Sequence, residues 1–362
     1  MQDIKLPLHQ RHEELGGKII PFAGFLMPVR YSSDKDEHNT VREKVGIFDV
    51  SHMGEFKVTG SGSLEFLQYI TSNDVSRLVP GMAQYSCLPN ENGGIVDDLI
   101  VYMIDTDHYF LVVNAGNIEK DWNWISQYKN DNVVLENVSD NYCLFAIQGP
   151  LAEKTLQKLT DTPLSTIKYY HFMMGNLTGI HNVMISATGY TGAGGFEVYL
   201  PKEKALEVWN SILKVGEEFG IKPIGLGARD TLRMEMGFCL YGNDINDTTS
   251  PIEAGLGWIT KFSKDFIGKA VIEKVKEQGP TKKLVGFKMQ ERGIPRSGYK
   301  IVDGQGNEIG EVTSGTMSPS MDVGIGLGYV KVEYMAPDTD IFIDIRNKHI
   351  KAKIHKLPLL TS

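Results

Sequence analysis

The stretch NGGIVDDLIVY, residues 92–102, decides how the middle of this chain folds. Ile95, Val96, Leu99, Ile100 and Val101 occupy odd and even positions alike, which predicts a strand covered on both faces. Asp97 and Asp98 interrupt it side by side. A buried carboxylate without a partner costs several kcal/mol or takes up a proton, so each needs a partner or a task. Successive side chains on a strand point to opposite faces, so the two cannot share one environment.

Outward from this strand, the first half alternates strand-like and helix-like pieces. SSDKDEHNTVREKVG opens with serine caps, carries acids early and Lys44 late, and stops at Gly46, which predicts a helix over about 34–45. Residues 45–60 read as extended, and SGSLEFLQYIT holds a short helix. An amphipathic helix is expected over 117–129, with Ile118, Trp122 and Ile125 at helical spacing. LFAIQGP (144–150) reads as a strand, with Pro150 at the first position of the next helix. A helix over 204–220 should bury Leu206, Trp209, Ile212 and Leu213 and close at Gly220. After KEQGPTKK (276–283) short apolar stretches are separated by DGQGNE, TSGTMSPS and APDTD, a rhythm that suggests a small all-β barrel or sandwich.

Composition narrows the function. The 362 residues allow two or three domains, and a net charge of −8 argues against a nucleic-acid surface. No apolar run approaches the ~18 residues a membrane span needs. The N-terminal stretch lacks an apolar signal region and is a poor transit peptide, so a cytoplasmic, bacterial-type chain is expected. Cys87, Cys143 and Cys239 are odd in number and far apart, which suggests buried, reduced thiols. G-x-G-x-x-G, Walker A, H-E-x-x-H and G-x-S-x-G are all absent, so nicotinamide, flavin, metal and serine-hydrolase chemistry are not expected.

Two stretches invite a ligand. SATGYTGAGGFEVYL (186–200) reads either as a glycine-rich hairpin before an alternating strand or as backbone shaped for close approach. Tyr190 offers a stacking face, and Glu197 can accept two parallel N–H bonds from an amidine-like ring edge such as a pterin's. PIGLGARDTLRMEMGFCLYGNDI (223–245) reads as a loop and a helix. Arg229 and Arg233 share a face there, either paired with Asp230 and Glu235 at the surface or partly buried and facing a carboxylate ligand. Asn114 ends a buried strand, as a turn residue or as an amide that orients ring atoms. His52 is expected to satisfy local backbone rather than titrate.

FDVSHMGE (48–55), NGGIVDDLIVY, TGYTG..GFEV, GLGARDTLRMEMG and SPIEAGLGW (250–258), with FAGFLMP (22–28) and GEVTSGTMSP (310–319), together resemble the T protein of the glycine cleavage system, in order over essentially the whole chain. The resemblance implies an α+β, multi-domain folate-binding aminomethyltransferase fold around a central cavity, with a C-terminal all-β barrel domain. It implies domains at 1–275 and 281–362. The first would comprise two intertwined α+β subdomains, approximately 1–53 with 141–245 and 54–140 with 246–275. The implied reaction passes a one-carbon unit from the aminomethyl-lipoyl arm of the carrier H protein to tetrahydrofolate. No nucleic acid or membrane partner is implied. The implied folate contacts are Met53, Tyr85, Asp98, Val112, Asn114, Tyr190, Glu197, Arg229 and Tyr241. Glu197 would take the pterin edge, Arg229 the glutamate tail, and Asp98 would be catalytic on the cavity face. Ala193 and Gly194 stand where the family carries two acidic residues. A non-catalytic folate-binding module of the iron–sulfur type is a first alternative, although KDFIGKA (264–270) lacks that group's cysteine. A folate-dependent demethylase of a small methylated substrate is the second.

Overall fold

The computed structural model describes residues 3–361, so residues 1, 2 and 362, at the outer ends of the expected domains, lie outside the described residues. The chain divides into two units. The first comprises Met1–Leu67, Val75–Tyr85 and Leu99–Asp230, and the second Gln68–Asp74, Ser86–Asp98 and Thr231–Ser362. The Ile95–Asp105 strand changes unit between Asp98 and Leu99.

In the first unit a six-stranded sheet runs in the order Phe172–Leu177, Ile180–Ser186, Gly195–Pro201, Tyr142–Gln148, Gly46–Asp49, Lys222–Pro223. The Ala205–Gly216 helix contributes Ala205, Val208, Trp209 and Ile212 to the core beside Phe145, Ile147 and Val198. The Trp209 ring meets Phe145 edge-on at 5.2 Å. Leu206, expected in that core, is 51% exposed. The buried stripe runs through 205, 208, 209, 212 and 216, which leaves 206 at its rim.

Other expectations are met with small shifts. The helix over Asp34–Glu43 is capped by Ser33, whose hydroxyl accepts the Asp36 N–H at 3.1 Å. Helices also form over Ser63–Ile70 and Ile118–Ser126. Gly220 closes the 205–219 segment in the left-handed conformation, after a short 3-10 turn. Pro150 lies two residues ahead of its helix, Ala152–Leu156, and Leu151 occupies the position just before that helix. The Gly195–Pro201 strand does not alternate. Phe196 to Leu200 are all buried because helices and neighbouring strands cover both faces.

The second unit carries the closed barrel, in the order Lys282–Met289, Val323–Lys331, Glu308–Ser318, Lys300–Val302, Asp340–Asp344, His349–His355. Its core includes Phe287, Ile301, Val312, Ile343 and Ile354. Gly326, the register partner of Phe287, leaves the space that ring fills, since a Cβ there would lie 2.3 Å from it.

The Leu226–Met236 helix delivers Arg233 and Glu235 into buried polar hubs. Arg233 is not paired with Glu235 at the surface. Its guanidinium, 2% exposed, binds Asp244 at 2.7 Å, the Phe238 carbonyl at 2.9 Å and the Ser314 hydroxyl at 2.9 Å. Glu235 instead accepts from Ser318 at 2.5 Å and Ser320 at 2.9 Å. Truncating one partner of such a pair strands a buried charge. Arg233→Leu should therefore lower unfolding free energy by roughly 3–5 kcal/mol. Urea titration should show the double variant Arg233→Leu/Asp244→Leu losing less than the single one.

Candidate functional site

Glu197 sits in the middle of the first unit's sheet, beside Ala146 on one neighbouring strand and Ser186 on the other. The strand that carries it starts at Gly195, with φ +123° and a would-be Cβ 2.2 Å from the Ile147 carbonyl, a place only glycine fills. The TGYTGAGG segment thus joins two antiparallel strands as a hairpin, and its close approach is made to the chain's own backbone. Glu197 is 8% exposed. Burial raises its pKa, while a hydrogen bond from Thr188 and the charge of Arg229 pull the other way.

Arg229, half-buried on its helix, stacks its guanidinium over the Tyr190 ring at 4.8 Å from the centroid. Tyr190, Glu197 and Arg229 are therefore brought together within one unit. Arg229 also acts on His52, whose pKa burial and this charge push down to about 3. His52 does not satisfy backbone as expected. Its ring sits between Phe22 at 5.9 Å and Phe25 at 6.3 Å, and Nδ1 has no hydrogen-bond partner among the described residues. The neutral ring fits an apolar aromatic niche.

The remaining residues of interest in this unit are spread over neighbouring elements. Met53 follows the Gly46–Asp49 strand, its N–H bonded to the Val50 carbonyl at 3.1 Å. Tyr85 is half-buried on Met82–Pro89. Val112 is buried near the end of His108–Val113, in register with Glu55, and Asn114 follows it half-buried, its carbonyl accepting the Asn117 N–H.

Asp98 and Tyr241 belong to the second unit. Asp97 is fully buried and Asp98 only half so, in line with opposite strand faces. Burial first, and then the Asp98 charge, raises the Cys87 thiol; burial, Asp244 and then Asp98 raise Cys239. All three cysteines are buried and none is in a disulfide. The Tyr241 hydroxyl shares its one proton between the Ile95 carbonyl at 3.0 Å and Asp247 at 3.2 Å, which ties down the strand three residues before Asp98.

Residues 8–264 match the GCVT N-terminal domain family, and residues 282–360 the glycine cleavage T-protein C-terminal barrel domain. The chain belongs to the glycine cleavage T-protein family. An aminomethyltransferase of Flavobacterium psychrophilum is 60% identical over 347 residues, 96% of each chain. One from Bacteroides thetaiotaomicron is 58% identical over 354 residues, 97% of this chain and 98% of the relative. The crystal structure of glycine cleavage system aminomethyltransferase T from Bartonella henselae aligns at a TM-score of 0.92 with 35% identity, over 98% of both chains. The T-protein chain is thus an α+β enzyme of the aminomethyltransferase class with a C-terminal barrel.

Sequence reading missed the hydroxyls behind Glu197. Thr188 donates to its Oε2 in a short contact, and Tyr102 and Tyr199 line up behind Thr188. Two signals were available: Tyr102 ends NGGIVDDLIVY, and Tyr199 lies two residues from Glu197 on the same strand face.

Glu55, in the SHMGE stretch of this T-protein chain, is 1% exposed, and its Oε1 has no hydrogen-bond partner among the described residues. Burial alone raises its pKa well above the ordinary value. The folded state therefore holds a proton that the unfolded chain releases. The associated stability is fully present below the unfolded pKa and is lost as pH rises toward the folded one. Glu55→Gln should remove that part of the pH slope. Melting temperatures from mildly acid to neutral pH should decline less in the variant than in the parent, and parallel curves would rule this out.

Proposed function

We propose that the chain transfers the one-carbon unit of an aminomethyl group, carried on the lipoyl arm of the H protein, to tetrahydrofolate. The products are 5,10-methylenetetrahydrofolate, ammonia and the dihydrolipoyl carrier. Beyond family membership, one observation carries this reading: a sheet-buried carboxylate, Glu197, within the field of an arginine whose guanidinium lies on the Tyr190 ring. That set suits a ligand with a donor-rich ring edge at one end and carboxylates at the other. Neither the demethylase nor the non-catalytic module is favoured by the relatives.

Glu197 accepts two N–H bonds from the pterin edge, and Arg229 binds the glutamate tail. Met53, Tyr85, Val112, Asn114, Tyr190 and Tyr241 contact the folate as the resemblance implies. Asp98 is the catalytic carboxylate. Positive charge develops on the one-carbon unit as ammonia leaves, and a fixed carboxylate stabilises it better than mobile water does. Asp98 can also take up or return a proton at the amine. His52, held neutral, supplies no charge to this step. The domain division stays as the resemblance implies it, 1–275 and 281–362, and its support is the start of the matched barrel family at residue 282. Three buried cysteines outside any disulfide suit a reducing compartment, and the reading assigns the chain to the cytoplasm.

Two variants test binding and chemistry separately. Glu197→Gln turns one acceptor into a donor and should weaken tetrahydrofolate binding by roughly 1.5–3 kcal/mol; calorimetry showing unchanged affinity would reject the pterin assignment. Asp98→Asn keeps the shape and removes the charge, so ammonia release from aminomethyl-loaded carrier should fall by ~10²–10⁴ with little change in folate affinity. Normal turnover in Asp98→Asn, with a folded but inactive Asp97→Asn, would move the catalytic role to Asp97.

A further inference from the structure

Behind Glu197 lies a chain of hydroxyls closed off from water. Tyr199 and Tyr102 are 3.0 Å apart through their oxygens, Tyr102 and Thr188 3.2 Å, and Thr188 and Ser186 2.9 Å. Thr188 then donates to Glu197 Oε2. None of the four hydroxyl residues is more than 3% exposed. Thr188 is itself fixed: the Gln148 side-chain amide donates to its carbonyl at 3.2 Å and accepts from Thr191 at 2.8 Å.

A hydroxyl carries one proton. When the Thr188 proton points at Glu197, its lone pairs are left to accept from Tyr102 and Ser186, and Tyr102 in turn can accept from Tyr199. Every O–H of the chain is then directed toward the carboxylate, an arrangement that polarises along its length and favours the ionised acid. We propose that Thr188 is a positioning residue: with Ser186, Tyr102 and Tyr199 behind it, its hydroxyl holds Glu197 as the ionised double acceptor that a ligand edge of two parallel N–H donors requires. The inference rests on the folate reading above. It adds a reason for ligand selection, since a protonated Glu197 would present one donor and one acceptor and so match a different ring edge.

The groups that act on Glu197 are Arg229 from its helix, which favours the charge, and Thr188 from the hairpin. Tyr102, Tyr199 and Tyr169 each feel the carboxylate and stay protonated. Burial raises the pKa of Glu197, so the double acceptor is present above that raised value and is lost as pH falls through it.

The test is the pH profile of tetrahydrofolate affinity in the purified full chain, with Glu197→Gln as the baseline that removes titration of the ligand and of other groups. Thr188→Val should move the acid-side loss of affinity upward by about 1–2 pH units, the effect of one charge-assisted hydrogen bond. At high pH, affinity should stay near that of the parent. Thr188→Ser should restore the parent profile, and Tyr102→Phe should move it upward by less. A Thr188→Val protein that loses affinity equally at every pH, with its inflection unmoved, overturns the proposal. If that variant does not fold, an unmoved inflection in Tyr102→Phe overturns it instead. Should Glu197→Gln keep both the parent affinity and the parent inflection, the folate reading fails rather than the hydroxyl chain.

Discussion

The first unit is organised around one awkward requirement, a carboxylate in the middle of a β-sheet. Glu197 has strands on both sides and a covered face, so water cannot solvate its charge. The surroundings compensate with partners of different kinds. Thr188 gives a directed hydrogen bond, Arg229 a nearby positive charge, and Gly195 the backbone path by which the strand enters without obstructing the Ile147 carbonyl. Glu55 shows what happens without such help. It is buried to a similar degree, and burial drives its pKa far upward. Two glutamates on strands of one unit thus differ in character because of what stands behind each, not because of depth.

The second unit solves a related problem with ions that stay paired. Arg233 and Asp244 are 2% and 0% exposed at their side chains, yet nearly every donor and acceptor they carry is used. Thr313 from the barrel donates to Asp244, and the Tyr329 hydroxyl to its backbone carbonyl. The 238–245 loop is therefore held to the barrel by directional bonds, an arrangement that fixes register where apolar packing alone permits sliding. Tyr241, inside that loop, inherits the fixed position and passes it to the strand ahead of Asp98.

Sequence pattern carried the periodic elements well and the buried polar contacts poorly. The Asp34–Glu43 helix was legible because Ser33 and the early acids are local signals. The barrel was legible because turn residues punctuate it at short intervals. Leu206 was misread because hydropathy does not say which of two adjacent helix faces meets the core. The pattern left Arg233 open between surface pairing and partial burial and did not name Asp244 as its partner, since loops eleven residues on have no fixed geometry in sequence. Thr188 and Tyr102 were out of reach for a deeper reason: they meet only once strand register is set, 86 residues apart along the chain. Motifs such as TGYTG flag a place; which hydroxyl faces which carboxylate is a property of the assembled sheet.

The paired aspartates can now be placed physically. On a strand covered on both faces, neighbouring carboxylates must diverge, and here one is fully enclosed while the other keeps part of its surface. An enclosed acid is constrained by its fixed partners and suits structure. A half-open acid retains room for a substrate atom to approach, and its charge already reaches Cys87 and Cys239. Burial first, with this charge added to it, keeps those thiols protonated, so neither competes as a nucleophile or as a base. The strand is anchored at Ile95 by Tyr241, and three residues of extended chain leave little freedom at Asp98. Electrostatic stabilisation of a developing cation depends on a charge that does not reorganise as the reaction proceeds. In the folate reading proposed above, Asp98 would meet that condition through the backbone anchoring of its strand.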